Sequence, residues 1–212
     1  MKKEFSPKEK TQYKFLLNVL GFLFSNIPLE NNNQIDFRDL YFTSAKSRVA
    51  NMVSYALEKS KINVPKEIMN MFVRCRKFML MKDASQFSAT KKLIAEFEKQ
   101  GIDNLLVKGQ FIKDTYPQSD FRVTNDVDVH IKSKDIEKAR TILSSLDYRI
   151  IESTDDLIVA VQDPFVQFEI HCDNGNFRNS TFTENLFSNA KLINNTNHTY
   201  KFPDEYHYIY IV

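Results

Sequence analysis

Leu105-Leu106-Val107-Lys108-Gly109, then Asp126-Val127-Asp128-Val129, then Phe168-Glu169-Ile170-His171 are three short apolar runs. Each carries a charged or conformationally permissive residue where a plain core strand would have none. Alternation from Asp126 to Ile131 predicts a strand, and residues two apart on a strand project from one face. Asp126 and Asp128 therefore set two carboxylates side by side, which is costly unless a cation sits between them. Hard oxygen ligands of this kind suit Mg²⁺ or Mn²⁺, ions that keep waters and bind nucleotide phosphates as well. Glu169, between Phe168 and Ile170, inserts a carboxylate into an otherwise buried run. It fits a third ligand or a general base on a neighbouring strand, with Asp173 as the alternative; the competing reading is an edge-strand carboxylate facing water.

Lys108-Gly109 falls where a strand gives way to a helix. Gly109 permits close backbone approach, and the helix N-terminus offers N–H groups to a phosphate. Lys108 or Arg122 neutralises a polyphosphate, or holds a metal-ligating aspartate by ion pairing. His130 and His171 share the faces of Asp128 and Glu169 by alternation, and structural hydrogen bonding is the expected role for both.

Outward from these runs the texture divides. Up to about Gly101 the pattern is helical. Ser6, Pro7 and Glu9 form an N-cap, N1 and N3 set ahead of a helix ending near Asn26 to Pro28. A second helix is expected over Phe37 to Ser60, with Leu40, Ala45, Val49, Met52, Val53, Ala56 and Leu57 as its stripe. A third spans Pro65 to Gln100, with a bend near Asp83 to Ser88 and Gly101 as its C′ stop. Phe15, Phe22, Phe24, Met69, Met71, Phe72, Phe78, Met79 and Met81 read as helical core.

After Gly101 the chain reads as α/β. Strands are expected at Asn104 to Val107, Asp126 to Ile131, Tyr148 to Glu152, Leu157 to Gln162 and Phe165 to Cys172. Asp163-Pro164 forms the turn between the last two. Helices are expected at Gln110 to Tyr116 and, capped by Ser133, at Lys134 to Leu146. A short helix follows Thr183, and another opens at Pro203-Asp204-Glu205 and stops at Val212 after barely two turns, so an incomplete helical portion is expected there.

Composition bounds the partners. A chain of 212 residues with 42% hydrophobic content buries one substantial core and leaves room for a smaller helical one. A formal net charge of +2 gives no basic field that favours long nucleic acid, although an RNA end remains a candidate acceptor. Cys75 and Cys172 lack metal or disulfide spacing and read as reduced cytosolic thiols. The apolar run Phe15 to Phe24 superficially imitates a signal peptide, but Glu4, Glu9, Asn18 and the lack of a small-residue cleavage site favour a buried helix. No other apolar run approaches the roughly 20 residues that span a bilayer, and a cytoplasmic protein is expected.

Strand-Lys-Gly-helix, Tyr116-Pro117, Arg122, Asp126-x-Asp128 and Glu169-x-His171 together resemble the uncharacterised bacterial nucleotidyltransferase family of the DNA-polymerase-β-like superfamily. The resemblance is close from Leu105 to about Asp173 and looser elsewhere. It implies an α+β fold, a small mixed sheet backed by helices, with a helical region at 1–101, a nucleotidyltransferase core at 102–182 and a C-terminal segment at 183–212. It also implies an NTP donor and two metal ions held by Asp126, Asp128 and Glu169, with Gly109 as the phosphate-loop glycine. The chain departs from the family pattern at Lys108-Gly109-Gln110, which lacks the usual phosphate-contacting serine, and at His130, where a bulky apolar residue is usual.

The expected function is metal-dependent transfer of an NMP from an NTP to an acceptor, a small molecule, protein or RNA end. Asp126, Asp128 and Glu169 are the expected catalytic and metal residues, and Lys108, Gly109, Gln110 and Arg122 the nucleotide-binding ones. Two alternatives stand beside it: a catalytically silent nucleotide- or partner-binding protein of the same fold, and a glycosyltransferase using Asp-x-Asp to chelate a nucleotide-sugar. The second is disfavoured because the stretch before the motif is helical.

Overall fold

The computed structural model describes residues 5–30, 34–107, 112–122, 124–173 and 186–203. Helix α1 (Pro7–Ser25) opens on the expected capping box: Ser6 Oγ accepts the Glu9 N–H at 3.2 Å, and Glu9 Oε2 accepts the Ser6 N–H at 2.8 Å. Left-handed Asn26 ends it. Phe15, Leu16 and Val19 are buried while Leu17 is 67% exposed, so the run that imitates a signal is a one-sided helix. Among the described residues no helix is long and apolar enough to cross a membrane.

The single helix expected over Phe37 to Ser60 is two, α2 (Phe37–Lys46) and α3 (Ala50–Ser60), separated at Arg48 with φ 58°. The stripe itself carried the break. Leu40 to Ala45 is a step of five, out of phase with a 3.6-residue period, and the buried positions are Leu40 and Ser44 in α2, then Ala50, Val53, Ala56 and Leu57 in α3. Asp36 caps α2, accepting the Arg38 and Asp39 N–H groups at 3.0 and 3.1 Å. Helix α4 (Lys66–Lys99) runs 34 residues and stays helical through Asp83 to Ser88. Gly101, at φ 69°, follows its end as expected.

The chain divides into two compact units, Met1–Met81 with Pro117–Val123, and Lys82–Tyr116 with Thr124–Val212. In the first, Phe15, Leu16, Val19, Leu40, Val53, Ala56, Leu57 and Phe72 form the core. Phe121 packs edge-on against Tyr55 with ring centroids 5.2 Å apart, and the Asn51 amide donates to the Asp120 carbonyl, which joins 117–122 to this unit. The expectation that all the N-terminal Phe and Met residues are core fails: Phe24, Phe78 and Met81 are 46%, 51% and 58% exposed. Met81 lies nine positions beyond buried Phe72, half a turn around the helix at about 100° per residue, so α4 cannot bury both on one side.

The second unit is built on a seven-stranded mixed sheet among the described residues. Its strands are β1 (Asn104–Leu106), β2 (Val127–Lys132), β3 (Arg149–Ser153), β4 (Leu157–Gln162), β5 (Val166–Asp173), β6 (Lys191–Leu192) and β7 (Thr199–Lys201), in the spatial order β3-β4-β5-β2-β1-β7-β6. Helix α5 (Ile136–Ser145) follows β2 after a 3₁₀ turn at Ser133–Asp135, so it starts later than a Ser133 cap predicted. One face of the sheet is a continuous core. Val127, Val129 and Ile131 of β2, Ile158 and Ala160 of β4, and Val166, Phe168, Ile170 and Cys172 of β5 pack with Ala89, Leu93 and Phe97 of α4 and Ala139, Ile142 and Leu143 of α5. A one-residue slip of β2 or β5 would drive carboxylates into that core, at several kcal/mol per ion by the order of magnitude of charge burial.

The last described stretch holds a 3₁₀ turn, Leu186–Asn189, where a short helix was expected, and the unforeseen strands β6 and β7. Expected elements at Gln110 to Phe111 and from Asp204 onward lie outside the described residues. Glu98 fastens this stretch to the end of α4 by accepting the N–H groups of Asn197 and His198, at 3.0 and 2.9 Å, and the Thr199 hydroxyl. Beside it His198 Nδ1 lies 2.8 Å from Asp103, which also pairs with Lys132. Burial pushes the Glu98 carboxyl up, but the Thr199, Asn197 and His198 donors outweigh it and hold it below its ordinary value. Asp103 is likewise pushed up by burial and held low by Lys132 and His198.

A carboxylate with a depressed folded-state pKa contributes stability above its unfolded value of about 4, and that contribution is lost as pH falls through the folded value. Glu98→Gln is therefore expected to flatten the dependence of Tm on pH in the acid limb below about pH 4. A slope identical to that of the unsubstituted protein would show that Glu98 is not a stabilising anchor.

Candidate metal centre and active site

Strands β2 and β5 run parallel as neighbours, and their register sets Asp128 opposite Glu169 and His130 opposite His171. β5 is interior, flanked by β4 and β2, so Glu169 does not sit on an edge strand. Because alternate residues of both strands fill the core, Asp128, His130, Glu169 and His171 fall on the opposite face. Asp128 and His130 are only 4% and 5% exposed. The Glu169 and His171 side chains retain 26% and 20% of their exposure.

His171 Nε2 lies 3.3 Å from Asp128 Oδ1 and 3.7 Å from Glu169 Oε2. Gln167 Nε2 donates to Glu169 Oε1 at 3.1 Å. The His130 and His171 rings stack with centroids 5.1 Å apart and planes 21° from parallel. One ligand atom from each of Asp128, Glu169 and His171 lies within 4.8 Å of the others. Two ligands about 2.1 Å from a divalent ion and roughly 90–120° apart are separated by about 3.0–3.6 Å. The 3.3 Å separation lies inside that range and the 3.7 Å one just beyond it, and the two-oxygen, one-nitrogen donor set suits a divalent cation.

Asp126 is half-buried and immediately precedes β2, one alternation before Asp128, and it is not part of the close three-residue cluster. Arg122 is half-buried and belongs to the other compact unit. Lys108, Gly109 and Gln110 lie outside the described residues, and Asp173 ends β5 opposite Lys132.

One turn of α4 supports the segments that flank these residues, a feature the sequence reading did not single out. Buried Gln86 donates through Nε2 to the Thr124 and Asn125 carbonyls, at 3.3 and 3.5 Å, and accepts the Thr124 hydroxyl at 3.1 Å. Lys82 Nζ donates to Asn125 Oδ1 at 3.3 Å. Asp83 pairs at 2.6 Å with Lys113, whose side chain is 6% exposed and which opens the 3₁₀ turn Lys113–Thr115. Thr124 and Asn125, just before Asp126, and Lys113 are thus tied to Lys82, Asp83 and Gln86.

A family described as uncharacterised nucleotidyltransferase matches the chain over residues 33–212. The chain belongs to that family. The match takes in the whole sheet and every candidate site residue, and membership places the protein in the nucleotidyltransferase class, with an α+β nucleotidyltransferase-like fold and an NTP as the implied substrate. No curated protein and no solved structure matches the chain.

In this nucleotidyltransferase the Gln86 clamp is testable apart from chemistry. Gln86→Leu keeps the volume but takes away the partner of the Thr124 hydroxyl and of the part-buried Thr124 and Asn125 carbonyls, and a loss of about 1 kcal/mol in urea unfolding is expected. An unchanged unfolding midpoint at unchanged m would show that the clamp bears no load.

Proposed function

We propose that this protein transfers a nucleoside monophosphate from an NTP to an acceptor hydroxyl or phosphate in a divalent-metal-dependent reaction. The observation that supports it most is the interior register pair Asp128–Glu169, joined by His171 at ligand spacing, in a member of a nucleotidyltransferase family.

In this reading Asp126, Asp128 and Glu169 would hold Mg²⁺ or Mn²⁺, two ions in all. Bound metal would neutralise the charge that develops on the transferred phosphoryl group and on pyrophosphate. The chain's own residues do the rest. Asp128, nearly shielded from water, has a fixed direction and little freedom to lose. Glu169, more open to solvent, completes the ligand set or takes the proton from the acceptor hydroxyl. Lys108, Gly109 and Gln110 are the residues assigned to the polyphosphate, with the lysine supplying positive charge.

The acceptor oxygen attacks the α-phosphorus in line with the bond to the bridging oxygen. That bond breaks, pyrophosphate leaves with its electron pair, and the acceptor proton passes to Glu169 or to solvent. A small molecule, a protein side chain or an RNA end fits as acceptor, and a formal charge of +2 gives no field for long nucleic acid. The sequence Lys108-Gly109-Gln110, without the serine usual in the wider superfamily, favours one second reading: nucleotide binding without transfer.

Asp128→Ala is expected to abolish the rise in Tm that NTP and Mn²⁺ together produce in the unsubstituted protein. Undiminished stabilisation in that variant would sink the assignment. Incubation with α-labelled NTP and Mn²⁺ then separates the two readings, since label retained on an acceptor supports transfer and binding with no label transferred supports the silent form.

A further inference from the structure

Proposing a metal-dependent nucleotidyltransferase leaves open which atoms hold the ion and which ion they select. We propose that His171 is a direct ligand through Nε2, and that the ion taken by the Asp128–Glu169–His171 cluster is a first-row transition metal, Mn²⁺ in preference to Mg²⁺. This rests on the proposed function only in requiring a metal at that cluster.

The geometry carries it. The parallel register brings Glu169 beside Asp128, and alternation along β5 puts His171 on the same face as Glu169. Nε2 lies 3.3 Å from the Asp128 carboxylate and 3.7 Å from that of Glu169, both near the length of a ligand edge around a divalent ion. The ring is set in advance: it projects from an interior strand and stacks on the His130 ring at 5.1 Å, and His130 is itself 5% exposed. A ligand held in place before the ion arrives loses little freedom on binding.

Ligand chemistry then separates the ions. Mg²⁺ is hard, demands near-octahedral oxygen coordination and dehydrates reluctantly. Imidazole suits the transition metals, and Mn²⁺ accepts oxygen and nitrogen donors together. A cluster of carboxylates alone would leave the choice between Mg²⁺ and Mn²⁺ to their abundance, whereas one nitrogen donor among two oxygens tilts it toward Mn²⁺.

The test uses metal-stripped full-length protein without nucleotide, titrated with Mn²⁺ followed by electron paramagnetic resonance and with Mg²⁺ by competition. The unsubstituted protein is expected to bind Mn²⁺ at least about tenfold more tightly than Mg²⁺. His171→Gln is expected to lose about tenfold or more in Mn²⁺ affinity while its Mg²⁺ affinity stays within about threefold, a loss at least as large as those seen when groups supporting a ligand are removed.

Electron spin-echo modulation from a directly bonded ¹⁴N should be present in the Mn²⁺ form of the unsubstituted protein and absent in His171→Gln. A histidine that merely hydrogen-bonds Asp128 would not give that signal. Should the variant fail to fold, the echo signal of the unsubstituted protein decides alone. Mn²⁺ bound with no nitrogen modulation, or with equal affinity in the variant, overturns the role of His171 and leaves the proposed function standing. Failure of the unsubstituted protein to bind Mn²⁺ overturns the role of His171, and failure to bind either Mn²⁺ or Mg²⁺, with or without NTP, overturns both.

Discussion

The parallel pairing of β2 with β5 is the constraint on which the rest of the second unit depends. Once Val127, Val129 and Ile131 on one strand and Phe168, Ile170 and Cys172 on the other face α4 and α5, the residues between them have no choice of side. The hydrophobic pattern of both strands excludes any one-residue slip, and the register that forms sets Asp128 beside Glu169 and His130 beside His171. The site is thus a consequence of core packing: the same alternation that buries apolar groups collects the carboxylates and imidazoles on the other face.

Helix α4 serves that arrangement twice. Its apolar residues Ala89, Leu93 and Phe97 cover the core face of the sheet. One turn earlier, Lys82, Asp83 and Gln86 turn polar groups toward the segments around 124–125 and 113. A buried amide such as that of Gln86 is tolerated only because its oxygen and nitrogen both find partners, and that requirement makes it a precise clamp. At the far end of the helix, Glu98 fastens the stretch that contributes β7 to the sheet.

Where reading and structure part, the reasons are physical. The helix break at Arg48 contains no glycine or proline, so only the phase of the apolar stripe marked it. Strands β6 and β7 are two and three residues long, and β7 pairs with β1 across almost a hundred positions of sequence, too short and too distant for a local pattern. Phe78 and Met81 read as core because they are apolar, yet which side of α4 is covered is decided by what packs against it. The nearness of His171 to Asp128 was not legible because alternation tells which face a residue occupies and nothing of which strand lies alongside.

The sequence by itself determined the helical first half and the α/β second half. Capping residues and periodicity are local properties, and the motif around Gly109, Asp126, Asp128 and Glu169 was enough to point to the family. Alternation also fixed in advance that Asp128 shares its face with His130, and Glu169 with His171. Only the tertiary structure decided that β5 is interior and lies parallel to β2, since strand neighbours are chosen by the packing of whole sheets and helices rather than by any short run. With that choice, a pair of aspartates read along one strand became a cluster of Asp128, Glu169 and His171 across two.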